Sequence, residues 1–153
     1  MSQYFRSSLL SGDEAIPEGH YADENMKSTV VPFRNGIMLA IATGMAESND
    51  LQYVMMANHG GDHTIYPDCR PEFVESFDAA AHAGTYNGVR LLSPYCNMTK
   101  GEIAARGKAL GIDYSKTWSC YRGGDKHCGK CGTCVELQEA LAEAGIPDPT
   151  DYE

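Results

Sequence analysis

Leu51-Gln-Tyr-Val-Met-Met-Ala-Asn58, followed at a distance by Val89-Arg-Leu-Leu92, decides the fold class of this chain. Both runs are short, apolar and bounded by loop-forming residues, as strands buried in a parallel sheet are. Between them, the loop His59-Gly-Gly-Asp-His-Thr-Ile-Tyr-Pro-Asp-Cys-Arg70 leads into a helical pattern. Pro71 suits the first turn of a helix. Phe73, Val74, Phe77, Ala80 and Ala81 then repeat at three-to-four spacing, and Gly84 ends the run. A strand, a helix and a second strand predict a parallel sheet with a helical crossover.

Upstream, Ile37, Leu39, Ile41 and Met45 lie among small alanines and predict a buried helix over 35–47. Residues 1–30 show no sustained period and read as loop. Downstream, Thr99-Lys-Gly-Glu102 is a capping-box pattern whose helix stops at Gly111, and a last helix runs from Val135 to Ala144 before Gly145 and Pro147. The whole, residues 1–153, reads as a single α/β domain. Two strands alone leave sheet faces and edges uncovered, so the expected sheet is incomplete: the C-terminal part of a larger α/β domain, or half of a shared sheet.

The 153 residues are 42% hydrophobic and 22% charged, ordinary for a packed globular chain. The net charge of −9 argues against direct nucleic-acid binding, which needs clustered Lys and Arg. No apolar run approaches the roughly 18 residues of a membrane span. Met1-Ser-Gln-Tyr-Phe-Arg6 lacks the basic-then-apolar order of a signal peptide, so the expected compartment is the cytoplasm. Six cysteines in such a compartment favour metal over disulfides.

Four of them, Cys120, Cys128, Cys131 and Cys134, form the pattern C-x7-C-x2-C-x2-C within 117–134. A C-x2-C turn lets two thiolates converge on one ion, and Gly129 and Gly132 permit tight turns. The seven-residue loop, with Gly123-Gly124, is long enough to return Cys120 to the same ion. Four thiolates close the coordination sphere of Zn2+, so the reading is a structural zinc knuckle that anchors the last helix. An iron–sulfur cluster, His127 in place of one thiolate, and disulfides are the alternatives.

His59, Asp62 and His63 follow a strand, where α/β sheets bind ligands. They read as a polar loop with ligand contacts, or more remotely as metal ligands. Asp68 and Arg70 could position a polar substrate, or Asp68 could cap the helix opening at Pro71 and pair with Arg70. Arg34 and Asn35 open the first helix and could hold an anion, or serve as a solvated Arg and a capping Asn. Cys69 reads as a buried thiol, since no base for a nucleophile is identifiable. Trp118 is expected to pack beside the knuckle.

Val31-Pro-Phe-Arg-Asn35, His59-Gly-Gly-Asp-His63, Tyr66-Pro-Asp-Cys-Arg-Pro-Glu-Phe73 and Thr117-Trp-Ser-Cys-Tyr121 with the cysteine knuckle together resemble the 7-cyano-7-deazaguanine synthase family of the queuosine pathway. The likeness runs from about Ile16 to about Ala140. It implies a Rossmann-like parallel sheet of the adenine-nucleotide alpha-hydrolase type. It also implies an ATP-dependent ligase that turns 7-carboxy-7-deazaguanine and ammonia into the nitrile, through an adenylated carboxylate and then an amide. Cys120, Cys128, Cys131 and Cys134 match the family's zinc ligands. Arg34, Asn35, Asp68 and Arg70 match motif positions near the ligand cleft.

The family's Ser-Gly-Gly-x-Asp-Ser pyrophosphate loop does not occur in this sequence. Ser11-Gly-Asp13 has one Gly and no strand before it, and Gly60-Gly-Asp62 lacks both serines. The expectation is therefore a truncated or split member, inactive alone, completed by a homo-oligomer or a partner chain. The competing reading is a non-catalytic zinc-knuckle binding module.

Overall fold

The computed structural model describes residues 4–10, 16–20 and 23–153, which leaves Ser11-Gly-Asp13 outside the described residues. Two compact units are present: residues 33–97, and the residues before and after them.

The first unit holds α1 (Arg34–Ser48), β1 (Tyr53–Met55), α2 (Pro71–Gly84) and β2 (Arg90–Leu92), with short 3-10 turns at Gly60–Thr64 and Pro67–Cys69. β1 and β2 pair in parallel, with Tyr53 opposite Arg90, Val54 opposite Leu91 and Met55 opposite Leu92. The helix–strand–helix–strand order expected from the sequence is thus present, with α2 as the crossover. Val54 and Leu91 share one sheet face. They pack with Leu39 of α1, Phe73, Val74 and Phe77 of α2, and Met56, Tyr66 and Cys69. Full burial of such a side chain contributes about 1.5–3 kcal/mol.

The other face differs from expectation. Tyr53 is 56% and Met55 67% exposed, and Met38, Ile41 and Met45 of α1 are also exposed while Leu39, Thr43 and Ala46 turn inward. α1 and α2 both supply the Val54–Leu91 face. A helix apolar all round carries no mark of which side its neighbours will cover.

Two local devices fix this unit. Phe33 enters α1 with φ +54°, and its ring lies where a Cβ on Gly36 would sit, edge-on to Phe73 at 5.8 Å. On α2, Asp78 Oδ1 accepts the Leu91 N–H at 2.7 Å, and the same carboxylate takes a bidentate bond from Arg90, with Nη2–Oδ2 at 2.6 Å. The Arg90 hydrogen bond holds the Asp78 carboxyl below its ordinary range.

The second unit is built on α3 (Lys100–Ala109) and α4 (Gly132–Glu143), whose seam is Ala104, Leu137 and Leu141, with Tyr114, Ala144 and Ile146 against it. The capping box forms as read: Thr99 Oγ1 accepts from the Glu102 N–H at 3.1 Å, and Glu102 Oε2 accepts from the Thr99 N–H at 2.8 Å. Gly101 leaves room for the Glu143 side chain of α4, which accepts from Thr99 Oγ1 at 2.8 Å. Lys100 pairs with Glu136 at 2.6 Å.

Two boundaries depart from the sequence pattern. α4 starts at Gly132 and not Val135, because the last C-x2-C turn, with Cys134 N–H on Cys131 O at 2.9 Å, runs straight into the helix. Glu24–Thr29, expected as loop, is a 3-10 turn anchored by Met26 and Thr29, each 1% exposed. Among the described residues no helix is long and apolar enough to cross a membrane.

Candidate metal centre and strand-end site

Cys120, Cys128, Cys131 and Cys134 are all buried, and their Sγ atoms lie within 4.8 Å of one another. All six cysteines of the chain are free thiols, so the knuckle is not a disulfide framework. Among the described residues these four are the one set of His, Cys, Asp or Glu side chains gathered closely enough to hold an ion. Each sulfur sits in a donor-rich turn. Cys120 Sγ accepts from Cys128 N–H at 3.4 Å, and Cys128 Sγ accepts from Lys130 and Cys131 N–H at 3.5 and 3.4 Å. Gly129, at φ +68°, makes the turn between them.

Burial opposes charge on Cys131, but hydrogen bonds from the Thr133 hydroxyl and from the Tyr121 and Cys134 N–H groups prevail and pull its thiol down to about 6. Burial and the neighbouring Cys131 push Cys134 up. A thiolate at Cys131, the N-cap of α4, beside three more sulfurs, is the donor set a soft or borderline cation takes.

His127 is turned elsewhere. Its Nε2 accepts from Ser119 N–H at 3.1 Å, and its ring stacks on Trp118 at 4.2 Å, with the Trp118 indole N–H on Cys120 O at 3.0 Å. Trp118 therefore packs beside the knuckle, as read. Segments well before it and at the C-terminus also reach it. Glu18 bridges Cys131, Gly19 N–H binds Lys130 O at 3.1 Å, and Glu18 pairs with Arg122 at 2.6 Å. From the other end, Tyr152 bridges His127. Ile16, Tyr121 and Tyr152 pack against the sulfurs.

The six other sequence candidates all fall in the sheet unit. Asn35, in the first turn of α1, donates its N–H to Asp68 Oδ2 at 2.8 Å and its Nδ2 to Cys69 Sγ at 3.2 Å. Asp68, 7% exposed, therefore serves the start of α1, not the helix at Pro71 that follows it. Arg70 bonds His63 O through Nε at 2.9 Å rather than pairing with Asp68. Arg34 is exposed, with Nη2 3.4 Å from Asn35 Oδ1. His59 and Asp62 form a capping box on the Gly60–Thr64 turn, with His59 Nδ1 accepting from Gly61 N–H and Asp62 Oδ2 from His59 N–H.

Sequence reading missed the residue that ties this region together. Asn58, 4% exposed just past β1, donates Nδ2 to Cys69 O at 2.6 Å and accepts from Ser93 Oγ at 2.5 Å just past β2. Cys96 joins through Asn58 Nδ2 at 3.4 Å and His63 Nε2 at 3.7 Å. A polar residue ending an apolar strand was the available signal. Lys100, ion-paired with Glu136, also gave no sequence cue beyond its place in the capping box.

The chain matches the family described as queuosine biosynthesis protein QueC over residues 1–145. It belongs to that family. A 7-cyano-7-deazaguanine synthase of Porphyromonas gingivalis is 61% identical over 153 residues, the whole of this chain and 70% of that protein. The protein of the same name from Marinobacter nauticus is 52% identical over 153 residues, and this chain covers 69% of it. One from Rhizobium johnstonii is 51% identical over 152 residues, 98% of this chain and 64% of the relative. The four-cysteine knuckle and the strand-end motifs both lie inside the matched residues of this QueC family member.

Proposed function

We propose that this chain acts in 7-cyano-7-deazaguanine synthesis as a ligase that joins ammonia to 7-carboxy-7-deazaguanine at the expense of ATP, and carries the amide on to the nitrile. The supporting observation is 61% identity over its full length to a protein of that name. A pure binding module would have no use for the strand-end motifs. A Rossmann-like sheet of the adenine-nucleotide alpha-hydrolase type, and a cytoplasmic setting, fit this reading.

Activation as an acyl adenylate turns a poor leaving oxygen into a good one, so the protein's task is to hold phosphates and to meet developing negative charge. Arg34 is exposed and suited to an anion, while the Asp68 carboxylate already takes the Asn35 N–H at the start of α1. Arg70, His59 and Asp62 complete the polar rim of the strand ends, where a parallel sheet offers its ligands a place. Since Ser-Gly-Gly-x-Asp-Ser does not occur in these residues, we infer that they bind ATP phosphates weakly by themselves. On that reading nitrile formation needs a phosphate-binding loop from outside these 153 residues. In the knuckle, Cys120, Cys128, Cys131 and Cys134 would hold Zn2+, whose role with four sulfur ligands is structural.

The test is elemental analysis of the purified chain, followed by titration with ATP and with 7-carboxy-7-deazaguanine. One zinc per chain with deazaguanine binding supports the proposal. Iron in place of zinc overturns the metal assignment. Failure to bind either small molecule, alone or with the remaining portion of the Porphyromonas relative added, overturns the ligase reading.

A further inference from the structure

We propose that the C-terminal tail, residues 148–153, is a strap that controls access to the four knuckle sulfurs, with Tyr152 as its closing residue. The tail is attached by several independent contacts. His127 N–H donates to Asp151 O at 3.1 Å, and Glu153 N–H donates to His127 O at 2.9 Å, which together make a one-residue parallel bridge centred on Tyr152. The Tyr152 ring packs against the cysteine cluster and lies over Gly129, where an added Cβ would meet the ring at 3.3 Å. Its hydroxyl donates to Asp148 Oδ2 at 2.6 Å, folding the tail back on itself, and the ring meets His127 edge-on at 6.0 Å. At the rim, Lys126 pairs with Asp151 at 3.1 Å.

The family model matches as far as residue 145, and the Porphyromonas relative aligns over all 153 residues, the strap included. Residues 16–20 form a second cover, through Ile16 on the sulfurs and Glu18 on Cys131 and Arg122, and the remaining wall is short turns whose N–H groups already point at sulfur. A chelator or an oxidant reaches a sulfur by displacing its covering atoms. A tail held by two backbone bonds, one ring and one surface ion pair is a cover that opens without unfolding a helix.

This inference rests on the metal reading for its first readout and is independent of it for its second. Zinc release from the intact chain to 4-(2-pyridylazo)resorcinol is followed by absorbance. Tyr152→Ala is expected to release zinc at least about tenfold faster, and Tyr152→Phe, which keeps the ring, to stay within about twofold. Asp151→Lys sets two like charges at the rim, leaves the core untouched and is expected to speed release about threefold. Adding Lys126→Glu to it restores the pair and the slow rate. If the chain carries no zinc, the same four variants are read by iodoacetamide labelling of Cys131 and Cys134, with the same rank order expected. Release or labelling rates in Tyr152→Ala and Asp151→Lys within twofold of the unchanged chain overturn the proposal. So does acceleration that the charge-swapped double variant fails to reverse.

Discussion

Cys69 shows how one residue's surroundings settle its chemistry. Burial pushes its thiol up to about 12, and the Asp62 and Asp68 carboxylates add to the effect. It is therefore a thiol at neutral pH, in keeping with its reading as a buried thiol and against any role as a nucleophile. Iodoacetamide at pH 8 is expected to leave Cys69 unmodified in the native chain, as judged by mass spectrometry of its peptide. Its folded value lies above the ordinary thiol value of about 8.5. Its contribution to stability is thus complete below about pH 8.5 and is lost as the pH rises towards about 12. The melting-temperature advantage of the natural chain over Cys69→Ala should shrink across that interval. Asp68 illustrates the limit of reading by proximity in sequence. Three residues before a helix start it looks like that helix's cap, yet it bonds a backbone N–H 33 positions upstream.

Among the elements, α3 was fully legible because both halves of its capping box lie within four residues of each other. Thr99→Ala should cost about 0.5–2 kcal/mol in urea unfolding, since it removes the cap. The hydroxyl's further bond to Glu143 favours the upper part of that range. β1 was legible as a strand but not as a half-exposed one, because the side on which helices settle is decided by packing between elements and leaves no trace in an apolar run. The start of α4 escaped for a related reason: glycine and cysteine carry no helical periodicity, and the turn imposed by the last two cysteines sets the register. At β2, Asp78→Ala strands the Leu91 N–H and is expected to cost about 1–3 kcal/mol. Arg90 depresses the Asp78 pKa. The natural carboxylate therefore stabilises fully above the unfolded value of about 3.9, and that contribution disappears as acidification passes through the lower folded value. A urea series on both proteins from pH 6 down to pH 2 should show the two stabilities converging.

For the molecule as a whole, the four-cysteine spacing announced a shared site before any geometry was known, whereas of the enclosure around it only the neighbouring Trp118 could be read. Glu18 and Arg122 are 104 residues apart, and nothing local in either stretch marks the other as its partner. On the proposed metal reading, a strong chelator is expected to abolish hydrogen-exchange protection at residues 16–20, 127–136 and 148–153, while leaving β1 and β2 protected. Equal loss in the strands would mean that the ion supports both compact units. The Asp78 carboxylate has one more consequence. Leu91 offers its amide on the side of β2 turned away from β1, and Asp78 takes it. That margin is already sealed by a side chain, so an incoming strand finds no vacant donor there. The other margin, along Tyr53–Met55, lies beside the apolar side chains of Tyr53 and Met55 that still face water, and is the side on which this small sheet is readier to grow.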